Sequence, residues 1–147
     1  MQTGYLINLT KIPPLCYNLP VTGISYGDVF LYERWNYNLK FNEMELDERI
    51  LKAVKELGYE EATPIQTEAI PVAITGKDIL GQAQTGTGKT AAFSIPILNN
   101  IDSSNKHLQA VVLCPTRELA LQVCGEIRKL SRYMHGIKLV PVYGGQD

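Results

Sequence analysis

Cysteine is scarce in this chain. Its three residues, Cys16, Cys114 and Cys124, include no pair at CxxC spacing. An odd number so widely spaced suits a reduced, cytoplasmic setting better than a disulfide framework or a zinc site. Neither sign of charge dominates: 14 Lys and Arg stand against 15 Asp and Glu, a formal net charge of −1. A protein-wide basic field is therefore excluded, and any nucleic-acid site must be local. No apolar run approaches the roughly 18 residues of a membrane helix. The N-terminus lacks a basic segment followed by an apolar core, and Pro13, Pro14 and Pro20 break up what apolar character it has, so a signal peptide is not expected. The two histidines, His107 and His135, have no partners at catalytic or metal-ligand spacing. What remains, 147 residues with 45% hydrophobic and 20% charged, amounts to one globular domain at most.

The most informative segment is Ala83-Gln84-Thr85-Gly86-Thr87-Gly88-Lys89-Thr90. It follows the apolar run Ile79-Leu80-Gly81 and precedes the helix-forming stretch Ala91 to Ile95. A strand, a glycine loop and a helix in that order make the setting of a phosphate-binding loop. Glycines at 86 and 88 let the backbone curl so that successive N–H groups face one concavity. The helix that follows adds its positive N-terminal end. Lys89 brings a mobile charge to the β and γ phosphates, and the Thr90 hydroxyl is a magnesium ligand of the expected type. Alanine replaces the first glycine of the strict pattern, a minor departure.

Composition changes near Lys40. Residues 1–40 hold five of the eight tyrosines and the only tryptophan, Trp35, with few charges and neither helical period nor alternation. They are too aromatic for a typical disordered tail, and one expectation is that they are a non-native extension preceding a protein that starts near Phe41. From Phe41 onward local signals agree. Asp47 caps a helix carrying Ile50, Leu51, Val54 and Leu57, and Gly58 stops it. Thr63-Pro64-Ile65-Gln66 opens a second helix with a capping-box arrangement, and Pro71 is expected to interrupt or kink it. Strands are expected at Ile79–Gln82, Ala110–Cys114 and Lys138–Val142. Helices lie between them, the second from Arg117 to about Ser131 with Leu119, Val123, Ile127 and Leu130 on one face. Alternating strands and helices predict parallel βαβ units. Arg128, Lys129 and Arg132 read as a solvated face, and Cys114 and Cys124 as buried small hydrophobes.

Three companions of the glycine loop narrow the reading. Gly58-Tyr59-Glu60-Glu61-Ala62-Thr63-Pro64-Ile65-Gln66, with Phe41 isolated upstream, resembles the adenine-reading Q motif of the DEAD-box family of ATP-dependent RNA helicases. Pro115-Thr116-Arg117-Glu118-Leu119-Ala120 is similar to that family's motif Ia, and Gly144-Gly145 to its glycine doublet. The resemblance covers Phe41 to Asp147. Ala62 stands where many members carry proline. The implied fold is α/β: an incomplete RecA-like P-loop domain over residues 41–147, with a parallel sheet and flanking helices.

The resemblance implies ATP and Mg2+ as cofactors. Around them it places Phe41, Gln66 and residues Ala83 to Thr90, with Thr90 toward magnesium. It implies RNA as a partner, held by its backbone at Pro115, Thr116, Arg117, Glu118, Gly144 and Gly145. A glutamine amide offers a donor and an acceptor side by side, complementary to adenine N6 and N7. On helix chemistry alone, however, Gln66 caps Thr63, Phe41 packs in a core, and Arg117 pairs with a carboxylate on a well-capped helix. For intact relatives the resemblance further implies ribosome-assembly or RNA-decay complexes, cytoplasmic location, and an Asp-Glu-Ala-Asp motif beyond the glycine doublet. That motif holds magnesium and orients water, and these 147 residues do not contain it. No catalytic residue is therefore assigned. The chain alone is expected to bind ATP weakly and neither to hydrolyse it nor to separate strands. The competing readings are a non-catalytic truncated product that binds RNA or a partner, and a P-loop NTPase of another kind.

Overall fold

A computed structural model describes residues 29–31 and 39–145. The proposed non-native extension and Cys16 fall largely outside those residues. In chain order the elements are β1 (Val29–Leu31), a 3-10 turn (Phe41–Glu43), α1 (Glu48–Glu56), α2 (Pro64–Ile74), β2 (Ile79–Gly81), α3 (Lys89–Asn100) and α4 (Arg117–Leu130).

The helices start where their caps put them. The Asp47 carboxylate accepts the Arg49 N–H at 2.8 Å, and Ile50, Ala53 and Val54 turn inward along α1. Gly58 ends the turn at φ +75°, a conformation that costs other residues a clash at Cβ. At α2 the Thr63 N–H donates to Gln66 Oε1 at 2.9 Å, with Pro64 in the first turn where its missing N–H costs nothing. Of the two outcomes expected at Pro71, interruption does not occur: the helix runs on to Ile74. Buried Ile70 and Ala73 on either side pack against α3, and that packing outweighs one absent backbone hydrogen bond.

Helix α3 is the centre of the molecule. Every residue from Ala91 to Leu98 is buried, the signature of a helix enclosed on all sides. It packs against α1, α2 and α4, and the core gathers Ile50, Val54, Ile70, Ile95, Leu98 and Leu130 around it. On α4, Val123, Ile127 and Leu130 are buried and Leu119 partly so, matching the expected face. Cys124 is buried. Cys114, expected to be buried too, is only half-buried, although desolvation still raises the pKa of its thiol.

The sheet departs from expectation. β2 forms and pairs in parallel with β1, Val29 opposite Ile79 and Leu31 opposite Gly81. The other two expected strands, Ala110–Cys114 and Lys138–Val142, join no ladder among the described residues. Their burial alternates all the same. Ala110, Val112, Cys114 and Leu139 pack on the core, while Val111, Leu113, Val140 and Val142 are 54%, 74%, 75% and 84% exposed. A strand buried on both faces of a parallel sheet needs neighbours on each side; here these segments have the inner face only.

Candidate functional site

The loop between β2 and α3 takes its shape from its glycines. Gly86 and Gly88 have φ of +83° and +86°, in the left-handed region. At Gly86 open space surrounds the missing side chain, so the need is purely conformational. At Gly88 a Cβ would lie 2.3 Å from Gln66 Nε2 and 3.2 Å from Thr63 Oγ1. Glycine is favoured there by its backbone, and any side chain would also displace the Gln66 amide. Thr87 Oγ1 donates to the Gln84 carbonyl at 2.8 Å and closes the turn from within. The Lys89 ammonium curls back over the loop and donates to the carbonyls of Ala83 and Gln84. Among the described residues it has no carboxylate partner. Thr90 follows in the first turn of α3, half-buried. A cation held only by neutral carbonyls, beside the N-terminus of a buried helix, suits the phosphates of a nucleotide.

The segment before α2 grips this loop from the side. Thr63 Oγ1 donates to the Thr87 carbonyl at 2.8 Å, and Gln66 Nε2 to the Gly88 carbonyl at 3.1 Å. Gln66 is 4% exposed, and with its Oε1 on the Thr63 N–H both ends of its amide are engaged. The capping role is thus present, together with a link to the loop that sequence pattern did not reveal. Phe41 is 3% exposed in the core, its ring centroid 6.3 Å from that of Tyr59. The Ala62 N–H donates to the Leu39 carbonyl at 3.0 Å, which ties Phe41's neighbourhood to the start of α2. An apolar crevice between α2, α3 and β2, lined by Ile65, Ala69, Phe93 and Ile97, runs up to Lys89. Its walls offer few polar groups, so the phosphate chemistry belongs to the loop.

A second constellation lies where the two extended segments end. Thr116 Oγ1 accepts the Leu119 N–H at 3.2 Å and caps α4. Pro115, Thr116, Arg117 and Glu118 are all exposed, as are Gly144 and Gly145, the latter at φ +81°. Arg117 forms no ion pair among the described residues; its guanidinium carbon lies 4.3 Å from the centroid of the Tyr143 ring. That contact brings motif Ia and the glycine doublet together. Tyr143 was not singled out by sequence, although an aromatic residue directly before two glycines was the available signal.

Two cations of the cluster on and after α4 are held in exposed ion pairs. Lys129 pairs with Glu126 at 2.7 Å, and Arg132 with Glu56 at 3.2 Å. Tyr133 also donates to Glu56. Among the described residues no cluster of His, Cys, Asp and Glu could hold a metal ion.

A glycine loop leading from a parallel strand into a buried helix, with helices packed around it, defines an α/β domain of the RecA-like class. The profile of the DEAD/DEAH box helicases matches residues 63–147, and the chain belongs to that family. It is 52% identical over 109 residues to an ATP-dependent RNA helicase CshA of Limosilactobacillus reuteri, a match covering 74% of this chain and 22% of that protein. Among solved structures, a DEAD box protein from Methanococcus jannaschii superposes with a TM-score of 0.66 at 40% identity, over 76% of this chain and 30% of the other. The RNA helicase Prp28 from Chaetomium thermophilum bound to ADP gives 0.65 at 40% identity, over 74% and 27%. The chain spans about a fifth of the length of the curated relative it matches.

Proposed function

We propose that this chain supplies the ATP-receiving and RNA-backbone-contacting part of a cytoplasmic DEAD-box ATP-dependent RNA helicase. The observation that carries the reading is the loop from Ala83 to Thr90, with Lys89 held, among the described residues, only by its carbonyls. Charged phosphate oxygens are stronger acceptors than those carbonyls. The Lys89 ammonium therefore exchanges its partners for β and γ oxygens when a triphosphate arrives. The free N–H groups at the start of α3 face the same anion. The Thr90 hydroxyl is the group of this loop that would hold Mg2+, which would supply charge neutralisation to the phosphates.

Adenine recognition requires the Gln66 amide to leave the Gly88 carbonyl or to share it. Nucleotide arrival and loop geometry are thereby coupled through one side chain. At the second constellation, the α4 N-terminus, Thr116, Arg117 and the glycine doublet offer donors and close backbone approach without base edges, so RNA binding is sequence-independent. The acidic motif needed to orient water is not in these residues. Alone they bind ATP weakly and do not turn it over, which leaves room for a non-catalytic role in occupying RNA or a partner.

Titration of the chain with fluorescent ATP and GTP analogues in Mg2+ tests the reading. ATP is expected to bind at least about tenfold tighter than GTP, the effect of one reversed hydrogen bond at roughly 1.4 kcal/mol. Lys89→Ala should abolish both. Equal affinities would leave Gln66 as a cap and loop clamp only. Phosphate release lost on Lys89→Ala would overturn the inactivity of the isolated chain.

A further inference from the structure

We propose that Tyr143 is a positioning residue for RNA, presenting the Arg117 guanidinium to a backbone phosphate. The inference rests on the reading of Arg117 as an RNA contact and adds what holds that side chain ready. Arg117 is exposed, at the first position of α4, and pairs with no carboxylate among the described residues. A free arginine in that place samples many rotamers, and ordering it opposes binding. Its guanidinium carbon instead lies over the Tyr143 ring, 4.3 Å from the centroid, well inside the range of a cation–π contact.

The geometry decides what such a contact leaves free. A carboxylate partner would occupy the N–H groups at the edge of the guanidinium plane, the ones a phosphate uses in bidentate fashion. An aromatic face attracts the cation without taking those donors. Tyr143 can therefore fix Arg117 without competing with RNA. The tyrosine is itself half-buried, which gives it a fixed base, and it precedes Gly144 and Gly145, whose backbone is exposed beside it. One stack so couples the two segments expected to meet the same strand.

The test is fluorescence anisotropy of a labelled single-stranded RNA of mixed sequence, with the full chain and a non-hydrolysable ATP analogue, across a salt series. Arg117→Ala is expected to weaken binding about tenfold and to reduce the salt slope by about one. Tyr143→Leu should weaken it about threefold or more, Tyr143→Phe should match the unaltered chain, and Tyr143→Trp should bind at least as well. On the Arg117→Ala background, Tyr143→Leu should have no further effect. If Arg117→Ala binds normally, the RNA reading of that residue fails. If Arg117→Ala weakens binding but Tyr143→Leu does not, or if its effect persists in full without Arg117, or if Tyr143→Phe is equally impaired, the positioning role is overturned while the reading of Arg117 stands. Should Tyr143→Leu melt early, the comparison of Phe and Trp with the unaltered chain decides. A ring order other than Trp at or above Tyr and Phe contradicts the proposal.

Discussion

A methyl group on Gly88 would sit 2.3 Å from Gln66 Nε2, and the backbone there holds φ at +86°. The two facts concern the same atom site, because the loop curls left-handed in order to lie against the amide of α2. Gly88→Ala therefore carries a conformational cost of about 1–2 kcal/mol and also expels Gln66 from its bond to the Gly88 carbonyl. Gly86→Ala carries the first cost without the second, since nothing lies within 4 Å of its absent Cβ. The expected outcome is that both variants lose nucleotide affinity while Gly88→Ala also lowers the melting temperature further. Equal melting temperatures in a calorimetric comparison would show that the contact with Gln66 carries no weight. At this scale the sequence was informative about residue type and silent about partners. The glycines, Lys89 and Gln66 were all legible from motif spacing. That Thr63 and Gln66 hold the loop was not, because those bonds join residues more than twenty positions apart.

Helix boundaries were the most legible elements, since caps are local chemistry. Asp47, Thr63 and Thr116 each mark the start of a helix with a hydrogen bond inside its first turn. Pro71 does not interrupt α2 because helix propensity is local and packing is not: the helix continues through it on the strength of its contact with α3. Asp47 also gives α1 a pH dependence. The side-chain hydrogen bond from Arg49, with the backbone bond and charge of the same residue, holds its carboxyl below the ordinary value of 3.8. A depressed pKa in the folded state means the stabilisation is present above 3.8 and is lost as pH falls through the lowered value. Asp47→Ala should cost about 1 kcal/mol at neutral pH, and the gap from the unaltered chain should close under acid. Denaturant titrations at neutral and acid pH check this; a constant gap contradicts it. The Asp47 backbone N–H donates to Asn99 Oδ1 at 2.8 Å, a bond that does not involve the carboxylate.

For the whole molecule, the class of fold was legible and the sheet was not. Apolar, β-branched content identified 110–114 and 138–142 as strand material, and their inner faces do pack on the core. Strand formation is a property of pairs, however, and no periodicity within one segment reveals whether a neighbour is there to pair with it. The outcome is two extended segments that leave Leu113, Val140 and Val142 at least 74% exposed. Unpaired backbone beside bare apolar side chains favours association. The 147-residue chain is expected to self-associate with rising concentration, and Val111→Lys with Val140→Lys to shift it toward monomer in sedimentation velocity. A monomer indifferent to both substitutions would contradict this.

The account turns on one physical event: a triphosphate draws Lys89 off its carbonyls while its adenine engages Gln66. Amide correlation spectra of the 15N-labelled chain register this directly, comparing a magnesium-bound non-hydrolysable ATP analogue with tripolyphosphate. The prediction is that Gly86, Gly88 and Lys89 respond to both ligands, and that the Gln66 side-chain amide shows a distinct shift only with the adenine nucleotide. Loop amides that stay in place at saturating nucleotide would contradict it.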